Sequence, residues 1–332
     1  MSERAALIDQ FLAASGWDGA KRQALPGDAS FRRYHRISHL VHAPAMLMDA
    51  PPPKEDVRPF LALARHLVGL GLSAPKIFAA DEEQGFLLLE DFGDDTYTRL
   101  LAKGVDEQEL YELAVDVLIE LHKHANAIPA GLPPYDEERL LTEAALLTDW
   151  YLPEILGQAA PAAVRADYLE IWKGLLPLAH EVPNSLVLRD YHVDNLMRLA
   201  GRDGPAACGL LDFQDAVVGP MTYDLMSLLE DARRDIDSSL IAKLKARYLA
   251  AFPELNQESF AASFAILAAQ RHCKVIGIFT RLMRRDGKPV YLSHIPRLWR
   301  LLENALAYPA LAPLAEWLKE HLPSRHRITP KC

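Results

Sequence analysis

The sequence predicts an α+β fold in two parts: a small β-rich N-terminal part with one main internal helix, then a larger helical part. Three observations carry this expectation. Short apolar runs bounded by turn residues crowd the first ninety positions, helical periodicity dominates from Asp106 onward, and the change of pattern falls between Glu90 and Thr96. The expected division is therefore 1–92 and 93–332. A length of 332 residues suits about two domains, and with half of the residues hydrophobic a large core can be buried.

Taken in order, the first helix is expected over Arg4 to Ala14, where Leu7, Ile8, Phe11 and Leu12 share one face and Gly16 ends the run. Pro26-Gly27-Asp28-Ala29-Ser30 is a turn. Phe31 to Ile37 and Ala45 to Met48 are strand candidates, followed by the chain break Pro51-Pro52-Pro53. A helix from Val57 to Leu70 takes Asp56 as N-cap, and Pro59 fits its first turn, where amides have no partner inside the helix. Lys76 to Ala79 and Gly85 to Leu89 are two more strands. Beyond them, Asp106 and Glu109 resemble a capping box at the head of a long helix, with Leu110, Leu113, Ala114, Val117, Leu118 and Leu121 on one stripe. Helical regions follow at Tyr135 to Leu156, Pro161 to His180, Leu225 to Asp231, Ser238 to Ala251, Gln257 to Met283, Arg297 to Ala305 and Leu311 to His321.

Composition narrows the function. A net charge of −9 argues against a nucleic-acid surface or an anionic membrane as the main partner, although Arg281, Arg284 and Arg285 form a local basic patch. Cys208, Cys273 and Cys332 show no metal-ligand spacing, and an odd count disfavours a disulfide framework. Neither a signal-peptide pattern nor a stretch of about 20 apolar residues is present, so a cytoplasmic protein is expected, with no nucleic acid, membrane or obligatory protein partner.

The chemistry concentrates in Val187 to Asp215. Asp190 and Asn195 stand five positions apart, the spacing of a kinase catalytic loop in which the Asp receives the acceptor's proton and the Asn holds magnesium. Asp212 follows the apolar run Gly209-Leu210-Leu211, as a metal-binding Asp follows a buried strand. Gly201-Arg202-Asp203-Gly204 between them is a turn signal, predicting a β-hairpin that folds Asp212 back beside Asn195. An Asp with an Asn five residues later is common by chance. The leading strand Ser185 to Leu188, the hairpin and the LLDFQD run together make the catalytic reading the stronger one.

Other segments keep two readings open. Glu90 and Phe92, after the run Phe86 to Leu89, are either a polar turn or a lobe connection that offers backbone groups to adenine. The turn at Pro26 to Phe31 has one glycine instead of G-x-G-x-x-G, and Ala45-Met46-Leu47-Met48-Asp49 has no lysine where a kinase carries one. Ser30, Arg32 and Arg33 then either supply the phosphate contacts or belong to a solvated edge strand. Asp224 either caps the next helix or braces the catalytic loop, and His192 is expected to support it.

At these residues the chain resembles the aminoglycoside phosphotransferase-like small-molecule kinases. Their H-G-D-x-H-x-x-N motif corresponds to Leu188-Arg189-Asp190-Tyr191-His192-Val193-Asp194-Asn195, with departures at the first two places. Within that superfamily GDASFRRYHR, LMDAPPPKED, GFLLLEDFGDDTY, LLDFQDAVVGPMTYDL and RHCKVIGIFTRL are most similar to the anomeric amino-sugar kinases of bacterial cell-wall recycling. The resemblance implies a bilobal protein-kinase-like fold with a small β-rich N-lobe and a larger helical C-lobe. It also implies ATP and Mg2+, with Asp190 as base and Asn195 and Asp212 as metal ligands. The implied reaction is phosphorylation of the C1 hydroxyl of N-acetylmuramate and N-acetylglucosamine in peptidoglycan recycling. For the small-molecule amino sugar the helical part offers Glu143, Asp149, Trp150 and Tyr151, with Arg271, Lys274 or Arg281 for a lactyl carboxylate. Each of these has packing or surface exposure as its alternative role. The rival functions are a related kinase with another hydroxyl acceptor, such as an aminoglycoside, choline or homoserine, and a nucleotide-binding pseudokinase.

Overall fold

The computed structural model describes residues 3–26 and 31–331. The chain divides into two compact units, Met1–Pro129 with Val193–Asp215, and Ala130–His192 with Ala216–Cys332.

In the first unit, helix α1 (Glu3–Ala14) precedes strands β1 (Lys21–Ala24), β2 (Arg33–Ser38) and β3 (Ala45–Asp49). Helix α2 (Arg58–Gly69) then leads to β4 (Ile77–Asp81) and β5 (Phe86–Glu90). The five strands form one antiparallel sheet in the order β1-β2-β3-β5-β4. Period-2 alternation puts Ile37, Ala45, Leu47, Phe86 and Leu88 on the face covered by Ile8, Phe11 and Leu12 of α1. Met48, Leu87 and Leu89, of the alternate set, are buried too, so both faces are covered. The strand at Lys21–Ala24 escapes sequence reading because KRQA is polar and mostly exposed. Asp56 does accept from the Arg58 amide at 3.0 Å, although Val57 is the residue flanking the helix.

Two more helices belong to this unit, α3 (Tyr97–Ala102) and α4 (Glu107–Lys123). Asp106 caps α4 through the amides of Gln108 and Glu109, and Leu110, Ala114, Val117, Leu118 and Leu121 are buried along it. The segment Val193–Asp215 joins the same unit through its hairpin, described below. This division does not fall at the expected 92/93 boundary. Thr96 bridges to Met197 and Ser73 to Gly209, pairings between residues about a hundred or more apart that periodicity cannot reveal.

The second unit is mainly helical. It contains α5 (Glu137–Ala144), a π-turn at Leu147–Tyr151, α6 (Leu152–Leu156) and α7 (Ala162–Ala179). A two-stranded antiparallel pair follows, β6 (Asn184–Val187) with β9 (Val217–Pro220), and then α8 (Thr222–Leu229), α9 (Ser238–Ala250), α10 (Gln257–Asp286), α11 (Ile295–Ala305) and α12 (Ala312–His321). Strands β7 (Leu196–Arg198) and β8 (Cys208–Leu210), between β6 and β9 in sequence, belong to the first unit. Helix α10 is the centre of this unit, with buried residues from Phe260 to Met283. Its Gly277 has a packing reason: a Cβ there would stand 2.3 Å from both the carbonyl carbon and oxygen of Leu146. Gly277→Ala is expected to destabilise the protein by about 1–3 kcal/mol, the usual range for overpacking, seen as a lower urea midpoint. An unchanged midpoint would contradict the close approach.

Candidate active site

Two non-glycine residues among those described have left-handed backbone conformations, Arg189 (φ 70°) and Asp212 (φ 57°). L-residues rarely adopt this region, and such strain tends to gather at functional sites. One residue directly precedes Asp190; the other is itself a predicted metal ligand.

The expected hairpin is present. Strands β7 (Leu196–Arg198) and β8 (Cys208–Leu210) pair antiparallel with Leu196 opposite Leu210, and the Leu211 amide donates to the Asn195 carbonyl at 3.0 Å. This pairing brings Asn195 and Asp212, 17 residues apart in sequence, to the same end of the hairpin. Gly201 and Gly204 turn the chain with positive φ. Phe213, beside Asp212, stacks on Phe60 of α2 with centroids 5.0 Å apart. The Asp212 side chain is about half exposed, and its Oδ1 accepts from Gln214 Nε2 at 3.0 Å. Arg32 approaches the same oxygen at 3.7 Å and also donates from Nε to Glu55 at 3.2 Å. Arg33 is exposed on β2, opposite Asp49. Ser30 lies outside the described residues.

At the end of β5, Glu90 is held by Arg202 and also accepts from the Lys76 amide at 3.3 Å. Arg202 donates further to Ser73 Oγ at 2.7 Å. The Phe92 ring lies 5.4 Å from Arg202, against Gly209, where an added Cβ would stand 2.8 Å from the ring. The Glu90 and Phe92 side chains are thus engaged within the unit, and any contact with adenine at this connection falls to the backbone. A groove of about 660 Å³ between α1 and the β4–β5 turn, lined by residues such as Leu7, Phe11, Ala79 and Glu83, contains none of the predicted site residues.

In the second unit Asp190 is exposed at the end of the segment that leaves β6. The residues before it are pinned by Asp224, whose carboxylate accepts from the amides of Leu188 (2.6 Å) and Arg189 (3.0 Å). Burial, the largest influence, pushes the Asp224 carboxyl up to about 7, against the two amides and Arg271, while the charge of Asp190 adds to the rise. Protonation would turn one oxygen into a hydroxyl facing an amide N–H, and the loop would lose one of its two anchors. The folded-state value lies above the ordinary 3.8. This group therefore favours folding on the acid side, and that contribution is lost as pH rises through about 7. Activity should run oppositely, with both anchors in place only above that pH. A kcat–pH profile is expected to show an acid limb near pH 7 that Asp224→Asn abolishes, with low activity throughout; an unchanged limb would place its origin elsewhere. His192, 5 % exposed, is held well below its usual range by burial first and then by Arg233 and Arg271, so it stays neutral.

A feature absent from sequence reading surrounds Arg189. Its guanidinium pairs with Glu143 and lies 5.6 Å from the Tyr135 ring centre. Glu143 also takes Lys274 Nζ at 2.8 Å and the Tyr135 hydroxyl at 2.5 Å. Burial opposes the Glu143 charge, but Lys274 and Arg189 outweigh it and hold the carboxyl below its usual range. Glu143 and Lys274, two of the predicted substrate residues, thus meet beside the guanidinium of Arg189. Arg271 is buried and acts on Asp224 and His192. Asp149 is paired with Arg165 at 2.6 Å, and Trp150 is half-buried in the π-turn. The signal for Arg189 was its replacement of the motif's glycine; Glu143 on its side chain lies 46 residues away and Asp224 on its amide 35.

A five-stranded antiparallel sheet in one unit and a mainly helical second unit make a kinase-like fold. The fold matches a choline kinase from Streptococcus pneumoniae with a TM-score of 0.63 at 14 % identity, covering 92 % of this chain and all of that one. It also matches the ADP-bound aminoglycoside phosphotransferase APH(2'')-Ib, with a TM-score of 0.58 at 15 % identity over 92 % of this chain and 99 % of that one. The chain belongs to the phosphotransferase enzyme family, whose model matches residues 21–257. It is similar to two proteins named N-acetylmuramate/N-acetylglucosamine kinase. The Caulobacter vibrioides protein is 38 % identical over 98 % of this chain and 99 % of its own length. The Pseudomonas aeruginosa protein is 40 % identical over 94 % and 92 %.

Proposed function

We propose that the protein is an ATP-dependent kinase of N-acetylmuramate and N-acetylglucosamine that phosphorylates the anomeric C1 hydroxyl, and that it works in the cytoplasm in peptidoglycan recycling. The observation that carries this reading is the near full-length similarity, at 36–40 % identity, to relatives bearing that name. The cytoplasm, where ATP is available, also suits the free buried thiols of Cys208 and Cys273.

The residues fit a magnesium nucleotide. No group of three or more His, Cys, Asp or Glu able to hold a metal occurs among the described residues. Asn195 and Asp212 supply two oxygen donors, the kind of sparse set magnesium uses while it keeps waters and phosphate oxygens. Bound there, the metal would offset the charge of the phosphates. Asp190 accepts the proton of the attacking C1 hydroxyl, Asp224 holds the loop that carries it, and Arg32 or Arg33 meets the phosphates. A hemiacetal hydroxyl is more acidic than an ordinary alcohol and needs less help from a base. The amino sugar is received by the helical unit, for which Glu143, Asp149, Trp150, Arg271 and Lys274 are candidate contacts.

Phosphorus NMR of the product formed from each amino sugar and ATP tests the reading directly. An α-1-phosphate supports it. A 6-phosphate, or turnover only with choline or an aminoglycoside, would overturn the acceptor assignment, and nucleotide binding without turnover on any acceptor would point to a pseudokinase.

A further inference from the structure

Kinases of the protein-kinase pattern set a lysine on a central strand, pair it with a glutamate on the neighbouring helix, and bring both to the metal-binding Asp. Here that strand, β3, reads Ala-Met-Leu-Met-Asp, and its terminal Asp49 is buried against Arg4 at 2.6 Å. No cation comes from β3. The same three charges nevertheless converge from different positions. Arg32 stands just before β2, and its Nε meets Glu55 Oε2 at 3.2 Å while Nη1 reaches to 3.7 Å from Asp212 Oδ1. Glu55 stands three residues before α2, and its other oxygen accepts from the Phe31 amide at 3.1 Å. One carboxylate therefore fixes both the guanidinium and the backbone just ahead of it. Both side chains are well covered, 13 % and 17 % exposed, whereas Asp212 is 48 % exposed. The Phe60 to Phe213 stack ties α2 itself to the loop of Asp212.

We propose that Arg32 is the phosphate-binding cation of this site and Glu55 its positioning residue, a lysine–glutamate pair transposed to the start of β2 and the lead into α2. The proposal rests on the nucleotide-using function above and extends it. Glu55 has a second task under this arrangement. By holding Nε it restrains the guanidinium, which is already near Asp212, from closing on the oxygen that the metal needs. Of the two candidate arginines this arrangement selects Arg32, since Arg33 is exposed on the sheet opposite Asp49.

The test uses the full-length protein and calorimetric titration with adenosine and with Mg·ADP. Arg32→Ala is expected to weaken Mg·ADP binding about tenfold to a hundredfold, the range for losing a charge-assisted contact, while adenosine affinity stays at the wild-type value. Glu55→Gln should weaken Mg·ADP about tenfold and raise the magnesium concentration needed for half-maximal rate; Glu55→Asp should restore part of both. The double variant Arg32→Ala/Glu55→Gln should bind Mg·ADP no more weakly than Arg32→Ala alone, because Glu55 acts through Arg32. Adenosine binding also reports that each variant is folded. Wild-type Mg·ADP affinity in Glu55→Gln, or fully additive losses in the double variant, would overturn the proposal and leave the nucleotide reading intact. A wild-type protein that binds neither adenosine nor Mg·ADP would bring down both.

Discussion

Asp190→Asn is expected to lower kcat by about 10² to 10⁴, the usual share of general-base help, with Mg·ADP affinity unchanged. Asp190 is exposed at the end of a pinned backbone segment, so an isosteric amide costs no buried charge and leaves the fold alone. What it removes is the ability to take a proton. Because the proposed acceptor hydroxyl is a hemiacetal, the loss should fall toward the lower end of that range, and a less acidic alcohol accepted by the same site should suffer more. ATP consumption measured with N-acetylglucosamine checks this, and full activity in the variant would refute the role of Asp190. The preceding residue sharpens the comparison. Arg189 replaces the glycine of the resembling motif and still takes a left-handed conformation, held there by the Asp224 anchor on its amide and the Glu143 pair on its side chain. A conformation that glycine adopts without strain is here imposed by partners.

These partners mark where the sequence was legible. The β7–β8 hairpin could be read because turn residues and apolar runs lie next to one another, and helices such as α4 and α10 because their stripes repeat over many turns. The pairing of β6 with β9 joins Asn184 to Pro220, and Glu143 meets Lys274 across 131 positions. No local pattern encodes such contacts. The π-turn at Leu147–Tyr151 looked like uninterrupted helix, since its residues keep helical propensity while Gly277 lets α10 pass close to Leu146. Arg32 was legible as a cation near a turn, but its partner Glu55 lies behind a proline-rich break with only charged neighbours to single it out. The candidate chemistry of Val187 to Asp215 is written locally, and the residues that hold the segment in shape are not.

Asp212→Asn should be as damaging as the Asp190 change but for a different reason, and binding separates the two. Asn adopts the left-handed region more readily than most residues, so the backbone at φ 57° and the Phe213 stack should persist while one negative charge is lost. Metal assistance in phosphoryl transfer supplies several kcal/mol, and every 1.36 kcal/mol is tenfold, so kcat/KM for ATP is expected to fall by about 10² to 10³. Magnesium should cease to tighten ADP binding, whereas metal-free ADP and adenosine should bind as before, since neither needs that carboxylate. The Asp190 variant should show the converse, with magnesium-dependent ADP binding retained and turnover lost. Calorimetric titration of both variants with ADP, with and without magnesium, distinguishes them. If magnesium still tightened ADP binding to Asp212→Asn as it does to the wild type, the metal would have to be held by other residues, and the pairing of Asn195 with Leu211 would be a structural clasp of the hairpin and not part of a metal centre.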